Sequence, residues 1–208
     1  MSPSRDDVLS SLNVSRETSD RLKLLADLLK KWNPRINLVS KSTVDEVWSR
    51  HILDSAQIFD LVDQSAFRWV DIGSGGGFPG LVVAILAADS EFPRKTILIE
   101  SDQRKCAFLR TVLRETGVQG RVVAKRIEAA EPQFADILSA RALAELDQLF
   151  WFAKRHLSEN GTMLFPKGVT WEKELSKAQE SWSFGREVFT SKTEPNSVIL
   201  KVKDLRRV

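Results

Sequence analysis

Cysteine occurs once in these 208 residues, at Cys106, and histidine only twice, at His51 and His156. A single thiol excludes an intramolecular disulfide and any cysteine-based zinc cluster. Two histidines are too few for a typical histidine-rich site, so no metal centre is expected. No apolar run reaches the roughly 18 residues that a membrane span needs. The polar, acidic start MSPSRDDVLS is unlike a signal peptide. A cytoplasmic protein without membrane contact is the expectation. Internal repeats and low-complexity tracts are lacking too. Glycine is also scarce, at ten residues, yet five of them fall between Gly73 and Gly80.

What is present fits one ordinary folded domain: 42% hydrophobic, 28% charged, and long enough for a sizeable core. The net charge of +3 permits a polyanionic partner without demanding one. Ser15 is placed to cap a helix reaching about Lys31, with Leu22, Leu25, Leu28, Leu29 and Trp32 on one face. Asn33-Pro34 should end it. Thr43 and Glu46 have the spacing of a capping box, and a second amphipathic stripe runs from Val44 through His51 and Ser55 to Val62. Residues 1–65 therefore read as a helical extension, and 66–208 as the main domain.

From Phe67 onward, short apolar strands alternate with helices. The strands are expected at Arg68 to Ile72, Thr96 to Ile99, Arg121 to Ala124, Ala135 to Ser139 and Thr162 to Phe165. The helices are expected at Pro79 to Ala87, Gln103 to Glu115, Leu143 to Leu157 and Val169 to Ser181. That alternation predicts an α/β fold with a mostly parallel sheet. Arg186 to Thr190 and Ser197 to Val202 lie too close in sequence to pair except as an antiparallel hairpin. Seven strands closed by such a hairpin are unlike the usual nicotinamide-binding domain. They are similar to the Rossmann-like class I methyltransferase fold, which uses S-adenosylmethionine.

Two cofactors compete for the loop VDIGSGGGFPG, Val70 to Gly80. Gly75 to Gly80 matches the dinucleotide pattern G-x-G-x-x-G, but Pro79 suits a first helical turn, which would put Gly80 inside the helix. The other frame sets Asp71 just before Gly73, Gly75 and Gly77. An acid there repels a pyrophosphate and suits a cationic sulfonium. Glu100 ends the second strand, where a carboxylate can accept both ribose hydroxyls, a feature shared by both readings. Arg141 follows the fourth strand and can hold a carboxylate, a phosphate or a guanine edge. Neither an Asn/Asp-Pro-Pro-aromatic tetrad nor a Pro-Cys nucleophile stands there. That absence suits guanine N7, whose lone pair lies in the ring plane and carries no proton, and equally suits a binder without turnover. Lys125, Arg126 and Lys167 join Arg141 in a cationic rim. Cys106 reads as core, His51 as a structural histidine, and Lys154-Arg155-His156 as a helix C-terminus complementing its dipole.

Several segments together resemble the bacterial 16S rRNA guanine-N7 methyltransferase family, glucose-inhibited division protein B. They are LLKKWNPRINLVS (Leu28 to Ser40), SRHILDSAQ (Ser49 to Gln57), VDIGSGGGFPG, KCAFLRTV, LSARAL and FPKG. The resemblance implies an enzyme that methylates N7 of one guanine in 16S rRNA, free or in the 30S subunit, with S-adenosylmethionine, and a monomer is expected. It places cofactor contacts at Gly73, Phe78, Ile127, Glu128 and Arg141, with Glu100 at the ribose; the loop reading adds Asp71, Gly75 and Gly77. Arg141 and Lys167 are the expected catalytic residues, with Asn37 and His51 near the site or the RNA. Glu100 stands where the family often has aspartate, and Ala140 separates Ser139 from Arg141 where a direct Ser-Arg is common.

Overall fold

The computed structural model describes residues 3–62, 66–90 and 95–208. The strands Arg68–Ile72 (β1), Lys95–Glu100 (β2), Arg121–Ala124 (β3) and Ala135–Ser139 (β4) are parallel. The inner ones are covered on both faces, which is why they read as continuous apolar runs without alternation. Leu157–Lys167 (β5) extends the parallel set, and Val198–Arg207 (β7) then inserts antiparallel between β5 and Trp182–Thr190 (β6). The seven strands lie in the order β3-β2-β1-β4-β5-β7-β6, the expected sheet with its closing hairpin.

The hairpin is longer than its apolar pattern suggests. Most of β6 is exposed, so its residues feel no alternating core face, and backbone pairing alone carries it beyond the predicted ends. β5 likewise begins at Leu157, straight after Leu146–His156 (α6). Gly161 makes that possible: a Cβ there would meet the Ala135 carbonyl oxygen at 2.6 Å, beside a register irregularity between β4 and β5.

Before the sheet come Arg5–Leu12 (α1), Arg16–Ile36 (α2), and a π-helical stretch, Val47–Leu53, that runs into the single turn Asp54–Ala56 (α3). The capping box expected at Thr43 does not form; α1 has one instead, between Ser4 and Asp7. Nor does Pro34 stop α2. The helix runs two residues past it, to Ile36, without the bond Pro34 cannot donate, and Asn37 closes the helix in the left-handed conformation (φ 50°). The Asn33 side-chain oxygen then takes the amides of Leu38 and Val39 at 2.8 and 2.9 Å, turning the chain toward the sheet edge.

Leu22, Leu25 and Leu29 of α2 are fully buried against Gly80–Ala88 (α4) and Gln103–Thr116 (α5). At about 1.5–3 kcal/mol for each such side chain, the helical extension shares a core with the main domain. Cys106 is part of the same layer, wholly buried, its thiol directed at the Glu100 carbonyl oxygen 3.2 Å away. On the other face, Leu146, Leu149, Phe150 and Ala153 of α6 pack on the sheet together with Trp182, and Trp171–Gln179 (α7) lies beside α6. The predicted boundary between extension and main domain falls at residue 65, outside the described residues. No helix among the described residues is long and apolar enough to cross a membrane.

Candidate active site

Strand order runs outward from β1 and β4 in opposite directions, so the loops after them diverge and leave a crevice at their carboxyl ends. A cavity of about 750 Å3 occupies it, lined by the glycine loop, Phe78, the ends of β2 and β3, and the π-helix. That size suits a nucleoside-based cofactor.

The floor is built around Asp71. Trp69 Nε1 donates to Ser139 Oγ at 2.9 Å, and Ser139 Oγ donates to Asp71 Oδ1 at 2.7 Å, tying β1 to β4. Asp71 Oδ2 finds no hydrogen-bond partner. Burial pushes this carboxyl up to about 6, opposed in part by the Ser139 hydroxyl and more weakly by Ser74 and the Gly80 amide. Asp71 is only 1% exposed and does not line the cavity. The expectation that it meets the ligand is corrected: the loop covers it, and it works from beneath. Gly80 opens α4 directly above it, one residue later than the predicted start, with Pro79 as the N-cap. A Cβ on Gly80 would lie 2.3 Å from Leu98 Cδ2 and 2.8 Å from Asp71 Cβ, so helix and sheet can approach this closely only without a side chain.

Gly73 and Gly75 line the cavity; Gly77 does not, and instead shapes the turn into α4. Glu100 joins the loop to β2. Its Oε2 accepts the Gly75 amide at 2.8 Å, and its Oε1 accepts the amides of Ser101 and Asp102 at 2.8 Å each. Both lone pairs of Oε1 are thereby taken, and Oε2 keeps one. Ile127 and Glu128 form the opposite wall with Lys125 and Arg126. Arg155 and His156 reach that wall instead of merely ending α6: Arg155 Nε donates to the Ala130 carbonyl and His156 Nε2 to the Ile127 carbonyl, both at 2.9 Å.

Arg141 closes the other end. It donates to the Arg50 carbonyl at 3.0 Å, Asp54 Oδ2 at 3.1 Å and His51 Nδ1 at 2.9 Å, and lies over the Phe78 ring at 5.2 Å. Arginine can only donate, so His51 Nδ1 accepts and Nε2 carries the proton, given to Thr43 Oγ1 at 2.9 Å. Burial, with Arg141 and Arg50 beside it, lowers the His51 pKa to about 3. His51 also stacks on Phe78, centroids 5.0 Å apart. The helical extension is thus fastened to the end of β4 through one arginine.

Lys167 is placed differently from the rim expected of it. Its ammonium is buried, donating to the Ala144 carbonyl at 2.8 Å and Glu174 Oε2 at 2.7 Å. It faces a second cavity of about 480 Å3 that shares Arg141 and Ala142–Ala144 with the first. Asn37 is exposed and outside both linings, whereas its neighbours Leu38 to Ser40 are inside. Sequence reasoning missed Thr43, Arg50, Asp54 and Glu194. Arg50 and Asp54 stand one helical turn apart in the quoted R-H-I-L-D-S motif, a signal that was available. Nothing local marks Glu194, which arrives on the β6–β7 connection. The predicted helix start at Leu143 also fails: Ala142 is left-handed (φ 51°), and residues 142–145 line cavity instead of helix.

This sheet order, with an acid at the end of β2 and a glycine turn after β1, defines a class I S-adenosylmethionine-dependent methyltransferase. Solved structures agree on the fold: an S-adenosylmethionine-dependent O-methyltransferase from Thermotoga maritima (TM-score 0.59, 18% identity, 88% of this chain and 72% of that one) and a methyltransferase from Geobacter sulfurreducens (TM-score 0.58, 15%, 88% of each). Residues 18–198 match the family model described as rRNA small subunit methyltransferase G. Proteins named ribosomal RNA small subunit methyltransferase G are 55% identical in Ruegeria sp. (strain TM1040), over 95% of this chain and 96% of the relative. Those in Rhodospirillum centenum are 49% identical, over 96% and 90%. The chain belongs to the rRNA small subunit methyltransferase G family.

Proposed function

We propose that this protein transfers a methyl group from S-adenosylmethionine to N7 of one guanine in 16S rRNA, free or within the 30S subunit, in the cytoplasm. Its proposed working form is a monomer. Within this reading residues 1–65 are an extension that completes the site.

The cofactor fits the residues present. Glu100 keeps a lone pair on Oε2 for a ribose hydroxyl, Gly73 and Gly75 let the backbone approach, Ile127 and Glu128 bound the base, and Phe78 supplies an apolar wall. The cofactor supplies a methyl group on a cationic sulfur. Guanine N7 forms the new N–C bond with its in-plane lone pair as the S–C bond breaks. Positive charge passes to the base, and no proton has to leave.

The observation that carries this reading is the state of His51. Among the described residues lining the cavity it is the one whose ordinary pKa would suit a general base, and both its nitrogens are committed, one to Arg141 and one to Thr43. An acceptor that must lose a proton is poorly served here; N7 is not. Arg141 and the residues it gathers then act by positioning. Tritiated methyl transfer to 30S subunits or 16S rRNA from a strain lacking the enzyme, with mapping of the modified nucleotide, tests the proposal. Product at guanine N7 supports it, and no transfer by cofactor-bound protein overturns it. Arg141→Ala should abolish transfer while the chain still folds.

A further inference from the structure

The second cavity opens onto the first where Asp54, Arg141, Ala142, Leu143, Ala144 and Glu194 belong to both linings. Its charge does not suit a phosphate. Lys167 is neutralised by Glu174 and Arg141 by Asp54, and Glu145 and Glu194 are added to the lining. Its carboxylates differ in what they have left to accept. Asp54 Oδ1 takes Gln57 Nε2 and Thr193 Oγ1 while Oδ2 takes Arg141. Glu174 takes Lys167, the Leu146 amide and Thr170. Glu194 pairs with Arg50 and accepts from no other side chain or amide among the described residues.

The connection that carries Glu194 is fixed to the extension. Lys192 N donates to Gln57 Oε1 at 2.9 Å, Thr193 Oγ1 donates to Asp54 Oδ1 at 2.8 Å, and Ser191 Oγ takes the amides of Thr193 and Glu194. A carboxylate whose one partner among the described residues is Arg50 is therefore held at the junction of the two cavities, with lone pairs left on its two oxygens.

We propose that Glu194 selects guanine, its carboxylate accepting the N1–H and N2 amine of the acceptor base in the second cavity. This rests on the N7 reading above. A guanine whose N7 faces the first cavity turns its opposite edge, with two adjacent donors, toward the second. Adenine offers one donor beside an acceptor there, and a carboxylate repels the acceptor. The same contact aids the transfer itself. As N7 takes the methyl group and the ring becomes cationic, N1–H and the amine become stronger donors, so the carboxylate holds the transition state more tightly than the ground state.

The test compares 16S rRNA assembled with guanosine or inosine at the mapped acceptor position; inosine keeps N7 and lacks the amine. For the wild-type protein, inosine should lower kcat/KM roughly ten- to hundred-fold, the value of one hydrogen bond to a charged group. For Glu194→Gln the guanosine rate should fall by a similar factor, and the inosine penalty should shrink to about threefold or less. S-adenosylhomocysteine should still bind Glu194→Gln within about threefold of wild type, and Glu194→Asp provides a second variant if the amide disturbs folding. Equal wild-type rates on guanosine and inosine overturn the inference while leaving the N7 reading intact, as does an inosine penalty unchanged in the variants. No transfer to either RNA would instead sink the N7 reading.

Discussion

Replacing Asp71 by asparagine should change how stability depends on pH, by an amount the structure sets. Asp71 is wholly buried with Oδ2 unpartnered, and its pKa stands near 6 against an ordinary 3.8. The folded chain therefore binds this proton more tightly than the unfolded chain does. The group's contribution is fully present below about pH 4 and is lost as pH rises through 6. About two pKa units correspond to about 3 kcal/mol. Asparagine keeps the shape and an acceptor for Ser139 but has no proton to release. Urea unfolding of both proteins at pH 4, 5.5 and 7.5 gives the difference directly. It should move in favour of the variant by about 2–3 kcal/mol from the lowest pH to the highest. His51 titrates over an overlapping range with the opposite sign, but both proteins contain it, so it cancels. A difference flat to within about 0.5 kcal/mol, or one drifting the other way, would refute a buried, proton-hungry Asp71.

Other expectations follow from single contacts. His51, with its pKa lowered to about 3, should remain the neutral Nε2–H tautomer at pH 5 in nitrogen-detected NMR; an imidazolium there would break the Arg141–His51–Thr43 chain as drawn. Its stabilising effect is present above about 6.5 and is lost as pH falls toward 3. Gly80→Ala should lower stability by about 1–3 kcal/mol in urea unfolding, because its Cβ would lie 2.3 Å from Leu98 of β2 and 2.8 Å from Asp71 of β1; an unchanged midpoint would contradict the close approach of α4 to the sheet. Asp89, which takes Ser15 Oγ and Arg21 Nη1 at 2.6 Å each and Thr18 Oγ1, has its pKa lowered to about 2, chiefly by the Ser15 hydroxyl. Partly exposed, it should contribute about 1 kcal/mol, present above pH 4 and lost toward pH 2, and Asp89→Asn should erase that acid dependence.

Much was legible in the sequence because it follows from local chemistry. A buried parallel strand must be a short apolar run, so β1 to β4 show themselves. A backbone that turns tightly and approaches a ligand must be glycine, so the loop after β1 shows itself as well. Glu100 could be placed because a strand end fixes where one side chain points. Signals failed where the cause was distant. Pro34 looked like a stop, yet α2 runs two residues beyond it before Asn37 closes the helix. Leu143 looked helical, yet it is drawn into the cavity wall. Asp71 looked like a ligand contact because strand-end position is visible in sequence and the depth of burial is not.

The sequence by itself determined that there would be a parallel sheet, a crevice at its carboxyl edge, an acid at the end of β2 and an apolar Phe78 in the wall. These depend on residue type and on spacing within one or two elements. Only the tertiary structure decided how the acceptor side is assembled. Arg141 meets Arg50, His51 and Asp54 across some ninety positions of chain, and Glu194 reaches the same junction from the closing hairpin. No local pattern encodes such meetings: charged side chains are compatible with solvent almost anywhere, and packing of the helical extension on the sheet alone brings these few, partly buried, to one junction.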